Sequence, residues 1–188
     1  MTQLMIDFAR TYTNEEFEAL PADGRLLELI EGKVIEKMPG DTHGRISRRL
    51  NVQLALFDPE EKLGVLWPGT TVDLGAGWLP IPDLLFIKAE RVPSESEKSL
   101  KIVPDLVVEI HSPSDLDSKP GRDAAQNKIA QYLAKGVPIV WAINPREQTV
   151  EVYYPSQNTP AKKLGIEAEL DGEQIIPGFK IPLKKLFE

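Results

Sequence analysis

Three consecutive stretches constrain this chain more than anything else in it: "PDLVVEIHSPSD", then "GRDAAQNKIAQYLAKG", then "VPIVWAIN". The first and last are apolar, β-branched runs of strand length, and the middle one sets Ala125, Ile129 and Tyr132 on one helical stripe before Gly136 stops it. A strand, a helix and a second strand in succession form a crossover, the connection that parallel neighbours need, and it turns right-handed. The chain is therefore expected to be an α/β protein with a central mixed β-sheet flanked by helices. "GVLWPGTTVDL", "DLLFIKA" and "TVEVYYP" supply further strands.

Other elements follow from local signals. "TNEEFEAL" has a capping residue, acids in its first turn and Pro21 at its end, which predicts a short helix. In "RLLELIEGKVIEKM" two apolar runs flank Glu31-Gly32, so a β-hairpin is predicted, with Leu26, Glu28 and Ile30 on one face. From Asp41 or Thr42 to Phe57, Ile46, Leu50, Leu54 and Phe57 recur at helical spacing, and His43 sits near the start of that apolar face. "SESEKSL" and "HSPSD" read as loops, and the last thirty residues as an irregular strand and a short helical turn.

The 188 residues suit one domain, 1–188, and no apolar run approaches the roughly 20 residues of a membrane span. "MTQLMIDFAR" lacks the pattern of a secretory signal, and there are no cysteines, so a cytoplasmic location is expected and thiolate metal sites are excluded. A net charge of -7 argues against broad, charge-driven nucleic-acid binding but leaves room for a local basic surface. Arg45, Arg48 and Arg49, and Lys119, Arg122 and Lys128, are the candidates, with solvated faces as the alternative.

The chemistry centres on Glu109. Strand alternation puts Asp105, Val107, Glu109 and His111 on one face of "DLVVEIH" and leaves Leu106, Val108 and Ile110 for the core. A lone buried carboxylate is costly, so a partner is expected. Asp83 opens the preceding apolar run after Pro82 and meets Glu109 if the two strands are neighbours. Converging carboxylates call for a shared proton or a hard divalent cation, Mg2+ first. Lys128, at the edge of its helix's buried stripe, is placed to assist a phosphoryl transition state. Asp105, as a strand-opening residue, is expected to face solvent, and Trp78 is a stacking platform or a packing residue.

"PDLLFI", "PDLVVEIHSPSD", the lysine before "QYLAKGVPIVWAINP", and "VEVYY" together resemble the Uma-two family, a group of unknown function among the PD-(D/E)XK, restriction-endonuclease-like proteins. "LLELIEGKVIEKMPGDTHGRISRRL" and "IIPGFKIPLKKLF" extend the resemblance over nearly the whole chain. It implies a restriction-endonuclease-like fold and a Mg2+- or Mn2+-dependent endonuclease acting on DNA. Asp83 and Glu109 would hold the metal, with the carbonyl of Ile110 as a further ligand. The motif's lysine slot holds His111 here, and the lysine resembles one moved to the following helix, Lys128. Glu28 resembles the family's extra acid, and His43 its helix histidine, which would orient a ligand or bind the scissile phosphate. His111 would contact phosphate or stack in the sheet.

Related nucleases often work as homodimers, an expectation carried by the resemblance alone. Structural alternatives stand beside these roles: Asp83 capping a turn, Glu28 as an edge charge, and Glu109 with Lys128 as a buried ion pair. For the protein as a whole, the alternative is a catalytically inactive nuclease-fold binding or regulatory module.

Overall fold

The computed structural model describes residues 6–38, 40–94, 98–157 and 159–188. The opening "MTQLM" and the middle of the predicted loop "SESEKSL" lie outside the described residues. The crossover read from the sequence forms the centre. β6 (Leu106–Ile110) leads through α3 (Pro113–Asp117) and α4 (Lys119–Ala134) into β7 (Val140–Asn144), which pairs with it in parallel, Glu109 opposite Ala142. β3 (Gly64–Pro68), β5 (Leu84–Lys88), β8 (Thr149–Tyr153) and β9 (Lys162–Leu164) complete a six-stranded sheet in the order β3-β5-β6-β7-β8-β9, and every other pair in it is antiparallel.

Both faces of this sheet are covered, so its central strands are apolar on both sides. α2 (Asp41–Phe57) lies on one face, where Ile46, Leu50 and Leu54 pack with Leu84, Phe86, Leu106, Val108 and Trp141. α4 lies on the other, where Ile129, Tyr132 and Leu133 pack with Leu85, Ile87, Val107 and Val140. The strand alternation read from the sequence therefore holds, with one addition: Val107, on the face of Glu109, is as buried as its neighbours.

A second, smaller sheet stands at one end. β1 (Leu26–Ile30) and β2 (Lys33–Lys37) form the predicted hairpin, and β4 (Trp78–Leu79) pairs with β1. The turn places Glu31 and Gly32 at φ 53° and 73°, the left-handed pair that a two-residue hairpin loop requires. Between β4 and β5 only the short segment from Pro80 to Asp83 carries the chain from the hairpin sheet to the central sheet.

α1 (Asn14–Glu18) has the capping box announced by Thr13 and Glu16. The C-terminal stretch forms β10 (Glu169–Asp171), β11 (Lys180–Pro182) and α5 (Lys184–Phe187), whose Leu186 is buried against the α2 face.

Two local readings are corrected. "HSPSD" is not a plain loop: Ser112 caps α3, its side chain and that of Asp115 satisfying each other's backbone N–H groups. Asp105 does not face solvent. It is 7% exposed and accepts hydrogen bonds from the Lys88 backbone N–H at 2.9 Å and from the Arg91 guanidinium. Lys128, expected either on a basic surface or at the edge of the buried α4 stripe, is at that edge, with its side chain 16% exposed. Trp78 is 5% exposed in the α4-side core, so it packs and offers no stacking platform. Among the described residues no helix is long and apolar enough to cross a membrane.

Candidate active site

The antiparallel register of β5 and β6 pairs Leu84 with Val108, which sets Asp83 beside the Glu109 end of β6. Asp83 shares strand parity with Leu85 and Ile87, and Glu109 with Val107, so both carboxylates belong to the α4 side of the sheet. The carboxylate of Asp83 accepts the Ile110 N–H at 2.6 Å, fixing it to the strand that carries Glu109.

Lys128 arrives from α4. Its ammonium lies 2.7 Å from Glu28 Oε1 and 3.1 Å from Glu109 Oε1. The Tyr132 hydroxyl, one helical turn on, donates to the same Glu109 oxygen at 2.7 Å. Glu28 Oε1 also accepts the Ile81 N–H at 2.7 Å, so the hairpin acid is anchored to the segment that leads to Asp83. Glu28 and Asp83 are buried and Glu109 and Lys128 largely so: side-chain exposure is 7% for Glu28, 6% for Asp83, 12% for Glu109 and 16% for Lys128.

A second cation completes the cluster. Lys37, the last residue of β2, lies 2.9 Å from Asp83 Oδ1 and 4.0 Å from Glu109 Oε2, and donates to the Ile81 carbonyl at 2.7 Å. Sequence reading missed it. The signal was present, since the register across Glu31-Gly32 places Lys37 opposite Leu26, on the hairpin face that bears Glu28.

The electrostatics follow from this packing. Burial pushes the Glu109 carboxyl up, but the ammonium groups of Lys128 and Lys37 and the Tyr132 hydroxyl outweigh it and hold the group below the usual carboxylate range. Burial pulls Lys128 down, and the charges of Glu109 and Glu28 more than reverse this, leaving it above an ordinary lysine. Tyr132 is pushed well above an ordinary phenol by burial and by the same two carboxylates.

His43, 8% exposed near the start of α2, reaches the site from the opposite face of the sheet. Its Nε2 hydrogen-bonds the Ile110 carbonyl and lies 3.9 Å from Asp83 Oδ2. These groups line a cleft of about 340 Å³, together with His111, Ser112, Asp115 and, at the hairpin rim, Ile35 and Met38. Every residue expected at the site is thus at this cleft. The expected ion pair of Glu109 with Lys128 is present as well, as one part of the larger cluster.

The oxygen donors suit a hard cation. Asp83 and Glu109 both present a carboxylate oxygen toward one ammonium, and the Ile110 carbonyl keeps a second lone pair beyond its bond to His43. Among the described residues no group of three or more His, Cys, Asp or Glu side chains closes into a ready-made metal cluster. Lysines stand between the carboxylates.

A family model described as "Putative restriction endonuclease", Uma2, matches residues 14–184. The chain belongs to the Uma2 family. The fold agrees with the match: the chain is similar to the crystal structure of "a putative nuclease belonging to DUF820" from Anabaena variabilis, with a TM-score of 0.80 and 26% sequence identity over 94% of this chain and 97% of the other. No curated protein matches this chain. The restriction-endonuclease-like architecture expected from the resemblance is therefore the fold of this Uma2 protein.

Proposed function

We propose that this Uma2 protein is a metal-dependent endonuclease that hydrolyses DNA phosphodiester bonds at the cleft between the hairpin and α4. The observation that carries the reading is the convergence of Asp83 and Glu109, from neighbouring strands, on one cation position. Asp83, Glu109 and the Ile110 carbonyl are the residues that would hold Mg2+ or Mn2+. The ion supplies Lewis-acid polarisation of the phosphoryl group and activation of water.

The remaining roles belong to the chain itself. Lys128 uses two of its three N–H donors on Glu28 and Glu109, leaving one for a phosphoryl oxygen as negative charge develops. Glu28 holds Lys128 in place and keeps its second oxygen free to orient water. His43 acts as a positioning residue, because its Nε2 is engaged with the Ile110 carbonyl. His111, on the cleft wall in the slot where the motif has lysine, contacts the substrate phosphate. Two copies of the chain would present one site to each strand of a duplex.

A second reading has its own support. Lys37 and Lys128 already compensate the carboxylates, which suits a nuclease-fold module that binds without cutting. Supercoiled plasmid incubated with Mg2+ or Mn2+ separates the two. Nicking that is abolished by EDTA and by Glu109→Ala or Lys128→Ala supports the nuclease. DNA retention without nicking, unchanged by metal, supports the module. Sedimentation of the protein alone tests the dimer.

A further inference from the structure

We propose that Lys37 is a built-in counter-cation that occupies the metal position in the metal-free protein and must be displaced when a divalent ion binds. This deepens the metal-dependent reading and rests on it. Three observations carry it. The Lys37 ammonium lies between the two proposed metal ligands, 2.9 Å from Asp83 Oδ1 and 4.0 Å from Glu109 Oε2. Lys128, the other ammonium of the cluster, is held by Glu28 and Glu109 and makes no ion pair with Asp83. Lys37 also stands at the end of β2, next to Met38, which is 82% exposed, so its side chain has the cleft mouth to move into.

The physical argument is one of exclusion. Mg2+ takes carboxylate oxygens at about 2.1 Å in strict octahedral geometry. An ammonium in hydrogen-bonding contact with the same carboxylate repels that ion in a poorly solvated site. Without either cation, Asp83, Glu109 and Glu28 would stand together with Lys128 alone to compensate them, and carboxylates so placed repel. Lys37 thus keeps the metal-free site folded and raises the metal concentration needed to fill it. The same competition disfavours singly charged or weakly bound ions, because a ligand ion must outcompete an ammonium already in place.

The test measures Mn2+ binding from the electron paramagnetic resonance signal of the free ion, for wild type, Lys37→Gln and Glu109→Gln. Thermal melting in EDTA and in Mn2+ accompanies it. Lys37→Gln is expected to bind Mn2+ about tenfold or more tightly, to melt lower than wild type in EDTA, and to regain its melting temperature with Mn2+. Mn2+ binding by wild type that Glu109→Gln abolishes, with Lys37→Gln binding equally or more weakly, keeps the metal site and overturns the role of Lys37. No Mn2+ binding by folded wild type or Lys37→Gln overturns both.

A measurement on the unmodified protein guards against misfolding of the variants. Trace acetylation of amines, read by peptide mass spectrometry, is expected to show Lys37 several-fold more reactive with Mg2+ than in EDTA, and Lys128 unchanged. Equal Lys37 reactivity in the two conditions overturns the displacement.

Discussion

The chain contains the dipeptide Pro-Asp before two neighbouring strands, and the two aspartates do opposite work. β5 and β6 run antiparallel, so Asp83 and Asp105 sit at opposite ends of the same pair. At one end Asp83 meets Glu109, Lys37 and the Ile110 N–H beneath the hairpin. At the other, Asp105 is closed off by the Lys88 N–H and the Arg91 guanidinium, which also donates to the Val103 carbonyl at 2.9 Å. Both are buried acids with a cationic partner. The difference is that Asp83 borders a cleft and shares its cation with a second carboxylate, whereas Asp105 has a private, fully used set of donors. A motif of this kind reads as a site only through what surrounds it.

The comparison can be broken most sharply at Asp83. Asp83→Asn keeps an acceptor for the Ile110 N–H, so the fold is expected to survive while metal-dependent plasmid nicking falls by about a thousandfold, the scale of losing a group that acts directly on the transition state. Nicking within tenfold of wild type would remove Asp83 from the site. Next in size is the buried cluster. Lys128→Met leaves Glu28 and Glu109 without their shared cation and is expected to cost about 3–5 kcal/mol by urea unfolding. Adding Glu109→Gln to it should recover part of that loss, because the two residues are coupled. Strict additivity would mean that they are independent.

Asp105→Asn probes the private end. It leaves the Arg91 guanidinium half-paired, so a loss of about 1–3 kcal/mol is expected, with nicking by the folded protein unchanged. A loss of nicking without a loss of stability would put Asp105 in the functional machinery. The smallest effect is on pH dependence in EDTA. The folded value of Glu109 lies below its ordinary 4.5, so its contribution is present above that pH and is lost as pH falls through the lower folded value. Lys128 is raised from 10.5, so its contribution is present below that pH and is lost as pH rises through the higher folded value. Melting curves of Glu109→Gln should therefore show a flatter acid limb than wild type. Superimposable limbs would show that Glu109 titrates alike in folded and unfolded chains.

The legible parts of this molecule are those set by local periodicity. The β6–α4–β7 crossover, the hairpin and α2 all came from spacing and turn chemistry, which act over a few residues. The acid pair was legible once β5 and β6 were taken as neighbours. What escaped depends on register or on distant partners. Lys37 reaches Asp83 only because β1 pairs with β4 and the segment after it turns directly into β5. Asp105 was assigned to solvent because Arg91, its partner, lies on a turn whose return path no pattern announces. Ser112 and Asp115 did carry a capping signal, but a five-residue helix is too short to show a period.

The segment from Pro80 to Asp83 sets how independently the hairpin can be changed. Glu28 and Lys37 are carried on a hairpin joined to the rest of the site by one short link, by two hydrogen bonds to Ile81 within that link, and by the ion pairs Lys37–Asp83 and Glu28–Lys128. The sheet supplies Asp83 and Glu109 from its own strands, and α4 supplies Lys128. Two of the cluster's five charged side chains thus sit on the hairpin. Exchanging the hairpin alone would retune the charge balance and the rim of the cleft, while the strands that carry Asp83 and Glu109 stay untouched.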